Sequence, residues 1–131
     1  MIENLLNHQY YNFELHEERS ILKLDWTEET INMTDQDFKD CLLEFAALAK
    51  KHQTKKLWVD SNRYKYNTAN ELMTWRKNTI IPLFQEAGVK QLAFQIGIGG
   101  KIMPASVTET GLRTECFETH DSTLNWLKNK N

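Results

Sequence analysis

Three stretches of the chain carry side chains that could do chemistry. The first is Asp60-Ser61-Asn62, directly after the apolar run Leu57-Trp58-Val59 and followed by Arg63, Tyr64 and Tyr66. A serine at a strand end invites comparison with a nucleophile elbow, yet that turn needs Gly-x-Ser-x-Gly, and neither Ser61 nor Ser106 has flanking glycines. The second is Gly97-Ile98-Gly99-Gly100-Lys101, placed after a strand where backbone N–H groups can close on an anion. A dinucleotide fingerprint wants glycine where Ile102 stands, and a P-loop wants Ser or Thr after its Lys. A solvent-exposed loop beside a ligand site is the reading that remains. The third is the scatter of His8, His16, His52 and His120, of Cys41 and Cys116, and of Asp25, Glu28, Glu29 and Asp60. No pair among them has metal-ligand, CxxC or catalytic-dyad spacing. No metal, no cofactor and no catalytic residue is therefore expected, and the cysteines read as free buried thiols.

The elements that must position these residues follow from periodicity. Tyr11, Phe13 and Leu15 alternate with polar residues, and Ile21, Leu22, Leu24 and Trp26 form a second run, so the two make an N-terminal hairpin around Glu17-Glu18-Arg19-Ser20. Thr34 opens a helix with Asp37 as the carboxylate partner of a capping box. Phe38, Cys41, Leu42, Phe45, Leu48 and Ala49 form its apolar stripe, and Lys50, Lys51 and His52 close it. Leu57-Trp58-Val59 suits a parallel strand covered on both faces.

Thr68-Ala69-Asn70-Glu71 reads as a second capping box, so Thr68→Ala is expected to cost about 1 kcal/mol. The helix it opens carries Leu72, Met73, Trp75, Ile80, Leu83 and Phe84 to a stop at Gly88, with a kink or break near Asn78 because Pro82 removes a hydrogen bond. Gln91 to Ile98 reads as a buried strand. Met103 to Gly111 is ambiguous, with Pro104 able to open a short helix. Thr114 to Glu118 reads as an edge strand, and Asp121 or Ser122 as the cap of a last helix carrying Leu124, Trp126 and Leu127. The order predicts a single α/β domain over 1–131, with a mixed, mostly parallel sheet of about five strands, an N-terminal hairpin and about four helices.

Composition narrows the partners. Sixteen basic and eighteen acidic side chains in 131 residues give a net charge of −2, which offers no basic field for nucleic acid. No apolar run reaches the ~20 residues of a membrane span. The opening MIENLLNHQYYNFEL has no basic start before a long apolar region, so a cytoplasmic location is the expectation.

The stretches LKLDW, TDQDFKDCLLEFA, KKLWVDSNR, TANELMTWRKNTIIPLFQEAGVKQLAF and FETHDSTLNWL together resemble the STAS superfamily with its SpoIIAA-like fold. More narrowly, they resemble bacterial STAS-like proteins grouped with the lipid-binding CRAL-TRIO or Sec14 folds. The resemblance implies a non-catalytic binding or regulatory module. Anti-sigma factor antagonists of this superfamily carry a phosphorylated serine in an Asp-Ser-Ser-Gly turn at the start of the second helix. That position falls here at Asn67-Thr68-Ala69-Asn70, which leaves Thr68 as the one acceptor type and lacks the paired serines and the glycine. Two readings follow. A protein partner, or a second copy in a homodimer, docks around Arg63, Tyr64, Tyr66 and the second helix, where Arg and aromatic residues favour hot spots. Alternatively, a small apolar ligand sits between helices and strand ends near Trp75, Ile80 and Phe84, with Gly97, Gly99 and Gly100 at the mouth. An enzyme of unknown type is the third alternative. The tip Asp60-Ser61-Asn62 is expected to form a polar lip in which Asp60 pairs with Arg63 or faces the ligand.

Overall fold

The computed structural model describes residues 2–96, 106–109 and 112–128. Within them, seven strands form one mixed sheet: β1 (Ile2–Asn7), β2 (Tyr11–His16), β3 (Ile21–Trp26), β4 (Lys56–Asp60), β5 (Gln91–Gln95), β6 (Ser106–Glu109) and β7 (Leu112–Phe117). Their order across the sheet is β1-β2-β3-β4-β5-β7-β6. β3, β4, β5 and β7 pair in parallel, whereas β1–β2, β2–β3 and β6–β7 are antiparallel. The mixed α/β architecture and the hairpin are as expected, but two strands escape the periodicity.

β1 is an edge strand with mostly exposed residues and a register shift between Asn4 and Leu6, so it carries no alternating pattern to read. β6 occupies part of the stretch for which Pro104 suggested a helix; a strand forms because β7 offers it an antiparallel edge. β7, expected at the edge, accordingly lies inside the sheet.

The helices are α1 (Asp35–His52), α2 (Asn70–Trp75), α3 (Ile81–Glu86) and α4 (His120–Lys128), with a π turn over Arg76–Ile80 joining α2 to α3. Thr34 caps α1 as the sequence implies: its hydroxyl accepts from the Asp37 N–H at 3.2 Å, and the Asp37 carboxylate accepts from the Thr34 N–H at 2.9 Å. The break expected near Asn78 is the π turn, and Pro82 falls directly after it, at the start of α3. Gly88 ends the segment at φ 88°, a left-handed conformation that suits glycine. α4 begins earlier than expected. Thr119, not Asp121 or Ser122, closes its start, its hydroxyl accepting from the Ser122 N–H at 3.1 Å.

The parallel crossovers β3–α1–β4 and β4–α2/α3–β5 advance in one direction, and right-handed connections then put α1, α2 and α3 on one face of the sheet. Strand alternation sends Phe13, Leu22, Leu24, Leu57, Val59, Leu92, Phe94 and Leu112 to that face, where they pack with Phe38, Phe45 and Phe84 in the main core. Ile21, Trp58 and Ala93 point the other way and meet Leu127 of α4. This division of faces decides which of the candidate residues can reach a common site.

Candidate functional site

At the carboxyl ends of β3, β4 and β5 the helices stand away from the sheet and leave a cavity of about 490 Å³, open on one side. That volume is within the usual range of small-molecule sites, ~300–1,000 Å³, and strand carboxyl ends are where open α/β sheets hold ligands. Phe38, Leu42 and Phe45 of α1 form one wall; Val59, Leu92, Phe94 and Ile96 form the floor; Met73, Arg76 and Phe84 close the far side. The segment 61–68 supplies the polar rim through Ser61, Asn62, Tyr64, Lys65, Tyr66, Asn67 and Thr68.

The rim is held by hydrogen bonds that start at the end of β4. The Asp60 carboxylate accepts from the Asn62 N–H at 3.0 Å, a local Asx turn. The Ser61 N–H donates to the Gln95 carbonyl at 2.7 Å, and the Tyr64 N–H to the Ser61 carbonyl at 3.1 Å. Farther along, the Lys65 N–H donates to the Thr30 hydroxyl at 2.8 Å, and that hydroxyl donates to the Thr27 carbonyl at 2.8 Å. Thr30 is fully buried and so ties the rim to the turn before α1. The Tyr66 hydroxyl donates to Asp35 in the first turn of α1, which pushes the tyrosine's pKa up by stabilising its protonated form.

Inside the rim, Tyr64 sets its ring edge-on to Trp26 at 5.0 Å, and Trp26 stacks on Phe38 at 5.9 Å. The Tyr64 and Thr68 hydroxyls share a hydrogen bond of 2.6 Å. Burial of Tyr64 pushes its pKa well above the ordinary tyrosine value, so it stays neutral.

Several sequence-based assignments need correction here. Thr68 does not cap a helix: α2 starts at Asn70, Ala69 occupies the cap position, and the Thr68 hydroxyl is engaged by Tyr64. Asp60 does not pair with Arg63. Its side chain follows Trp58 to the α4 face, away from the cavity, and lies 3.8 Å from Lys23. Arg63 instead reaches Asp25 at 3.4 Å. Asp25 is half-buried and its pKa is raised, first by desolvation and then by the neighbouring charge of Asp60, against the pull of Lys23 and Arg63.

Trp75 lies outside the cavity with Lys39 at 5.4 Å from its ring centroid, and Ile80 is plain core. Gly97, Gly99 and Gly100 fall outside the described residues. The structure thus brings Ser61, Tyr64, Tyr66, Thr68 and Phe84 to one site, and leaves Asp60, Arg63 and Trp75 off it.

Residues the periodicity did not mark complete the cavity. Arg76 is 9% exposed, and its guanidinium lies 5.4 Å from the Phe94 ring centroid. A basic residue within a helical stretch normally reads as solvated surface, so nothing in its neighbours signals this placement. Among the described residues no cluster of three or more His, Cys, Asp or Glu could hold a metal ion. Burial raises the pKa of Cys41 and Cys116, which keeps their thiols protonated. Against known families, characterised proteins and solved structures, the chain finds no match.

Proposed function

We propose that this chain is a non-catalytic binding module that holds a small, largely apolar ligand at the carboxyl ends of its central strands, as a carrier or sensor. The observation that carries the reading is the cavity of about 490 Å³, walled by aromatic and aliphatic side chains and rimmed by hydroxyl and amide groups. Such a lining binds by burying apolar surface, while the few polar groups fix orientation. The resemblance to STAS-like and CRAL-TRIO folds supports the same reading, and a SpoIIAA-like arrangement is part of the proposal. Docking of a protein partner through Tyr64 and Tyr66 is the weaker reading, since Tyr64 is turned inward onto Trp26 and both hydroxyls are engaged by the protein itself.

Native mass spectrometry of gently purified protein tests the choice. A retained small-molecule mass is expected. A ligand-free dimer would favour the interaction module, and a ligand-free monomer at high concentration would count against both readings.

A further inference from the structure

The cavity lining is rich in aromatic rings. Seven of its eighteen described residues are Phe, Tyr or Trp, whereas aromatic residues make up 11% of the chain. Trp26 stacks on Phe38 with planes 3° apart, and Tyr64 meets Trp26 at 61°. Phe45 and Phe84, more deeply buried, cross at 87°. The lining therefore offers ring faces and ring edges, the two surfaces that attract another aromatic ring beyond the gain from buried area. Met73 adds a thioether, which also favours ring edges. Size agrees: about 490 Å³ is roughly three times the ~150 Å³ apolar void that takes one benzene.

One polar group is placed to orient such a ligand. The Tyr64 and Thr68 hydroxyls both line the cavity and share one hydrogen bond of 2.6 Å. That bond uses one of their two hydrogens, so the accepting oxygen keeps its own O–H to donate. Burial keeps Tyr64 protonated, and neither hydroxyl meets a further partner among the described residues. The Tyr66 and Thr30 hydroxyls, by contrast, spend theirs on Asp35 and the Thr27 carbonyl.

Resting on the ligand-binding reading above, we infer that the cavity takes an aromatic compound of two or three fused rings bearing a hydrogen-bond acceptor, and that the Tyr64–Thr68 hydroxyl pair donates to that acceptor.

Equilibrium dialysis against 2-acetylnaphthalene, 2-isopropylnaphthalene and 2-acetyldecalin separates the two features, since the second lacks the carbonyl and the third the aromatic rings. Affinities are compared after division by each compound's octanol–water partition coefficient, which removes differences in hydrophobicity. The wild-type protein is expected to favour 2-acetylnaphthalene over either by about threefold or more, the range of one neutral hydrogen bond or one aromatic contact. Tyr64→Phe/Thr68→Val removes both hydroxyls at similar shape, and is expected to abolish the advantage over 2-isopropylnaphthalene.

A ketone no better than 2-isopropylnaphthalene overturns the acceptor, and a naphthalene no better than 2-acetyldecalin overturns the aromatic class. An advantage that survives in the double variant overturns the role of the hydroxyl pair. Each of these leaves the cavity reading standing, whereas no binding of any of the three overturns the cavity reading itself. Should the double variant fail to fold, the carbonyl stretch of 2-acetylnaphthalene bound to the wild type decides. A shift to lower wavenumber than in hexane is expected, and an unshifted band overturns the donor assignment.

Discussion

Thr68 shows how a residue's chemistry can be legible while its role is not. Thr34 and Thr68 both precede a carboxylate by three residues, and only Thr34 closes a capping box. The difference lies in what else can reach the hydroxyl. Tyr64, four residues before Thr68 and turned inward onto Trp26, takes it at 2.6 Å. A cap and a tyrosine pair would each lose about 1 kcal/mol on Thr68→Ala, so that substitution alone does not distinguish them. A double-mutant cycle does. In a Tyr64→Phe background, Thr68→Ala is expected to cost much less than in the wild type, as measured by urea denaturation; additive losses would restore the cap.

His16 gives a second expectation at this scale. Burial beside Trp58 lowers its pKa from the ordinary 6.5, against the opposing pull of Glu14, whose carboxylate at 3.5 Å is too far for a good hydrogen bond. Between the lowered native value and the ordinary one, the unfolded chain binds a proton that the native state does not. Stability is therefore expected to fall as pH drops below about 6.5, and His16→Gln to flatten that part of the urea-midpoint profile. An unchanged slope would place the proton uptake elsewhere.

Elements were readable where one face of a segment is buried and the other wet. The stripe of α1 predicts its span because Phe38, Cys41, Leu42, Phe45 and Ala49 are all buried in it. β4 and β5 were readable for the opposite reason, being covered on both faces around the continuous apolar runs Leu57-Trp58-Val59 and Leu92-Ala93-Phe94. β1 was not, because an edge strand with exposed side chains has no pattern, and β6 was not, because its conformation depends on pairing with β7.

The break between α2 and α3 was legible from Pro82, but its form as a π turn, and hence the inward placement of Arg76, was not. A proline in a regular helix interior costs about 3 kcal/mol, which Pro82→Ala would recover. Here the π turn directly before α3 re-spaces the helical hydrogen bonds ahead of the proline. Pro82→Ala is accordingly expected to change stability by less than about 0.5 kcal/mol in urea denaturation. A gain approaching the interior value would mean that the π turn is strained by the proline and relaxes without it.

For the whole molecule, the sheet separates two layers of unequal depth. The main core and the cavity lie under α1, α2 and α3, whereas among the described helices α4 packs the other face, on β5 and β7. Trp58 is nonetheless fully buried there. Its indole N–H donates to Gln95 at 3.1 Å, Lys23 sits 4.4 Å from its ring centroid, and the rings of His16 and His120 flank it at 6.0 and 5.0 Å. Leu127 completes this small core with no exposed surface, so Leu127→Ala leaves a void that few neighbours can fill, at a cost of about 2–5 kcal/mol. Because the cavity lies across the sheet, the same substitution is expected to leave the affinity for a small apolar ligand in the cavity within about twofold while thermal stability falls. Calorimetric titration below the lowered melting temperature checks both halves. Lost affinity in a folded Leu127→Ala protein would mean that β4 and β5 transmit packing changes from the α4 face to the cavity floor at Val59 and Phe94, making the sheet a coupling element and not a partition.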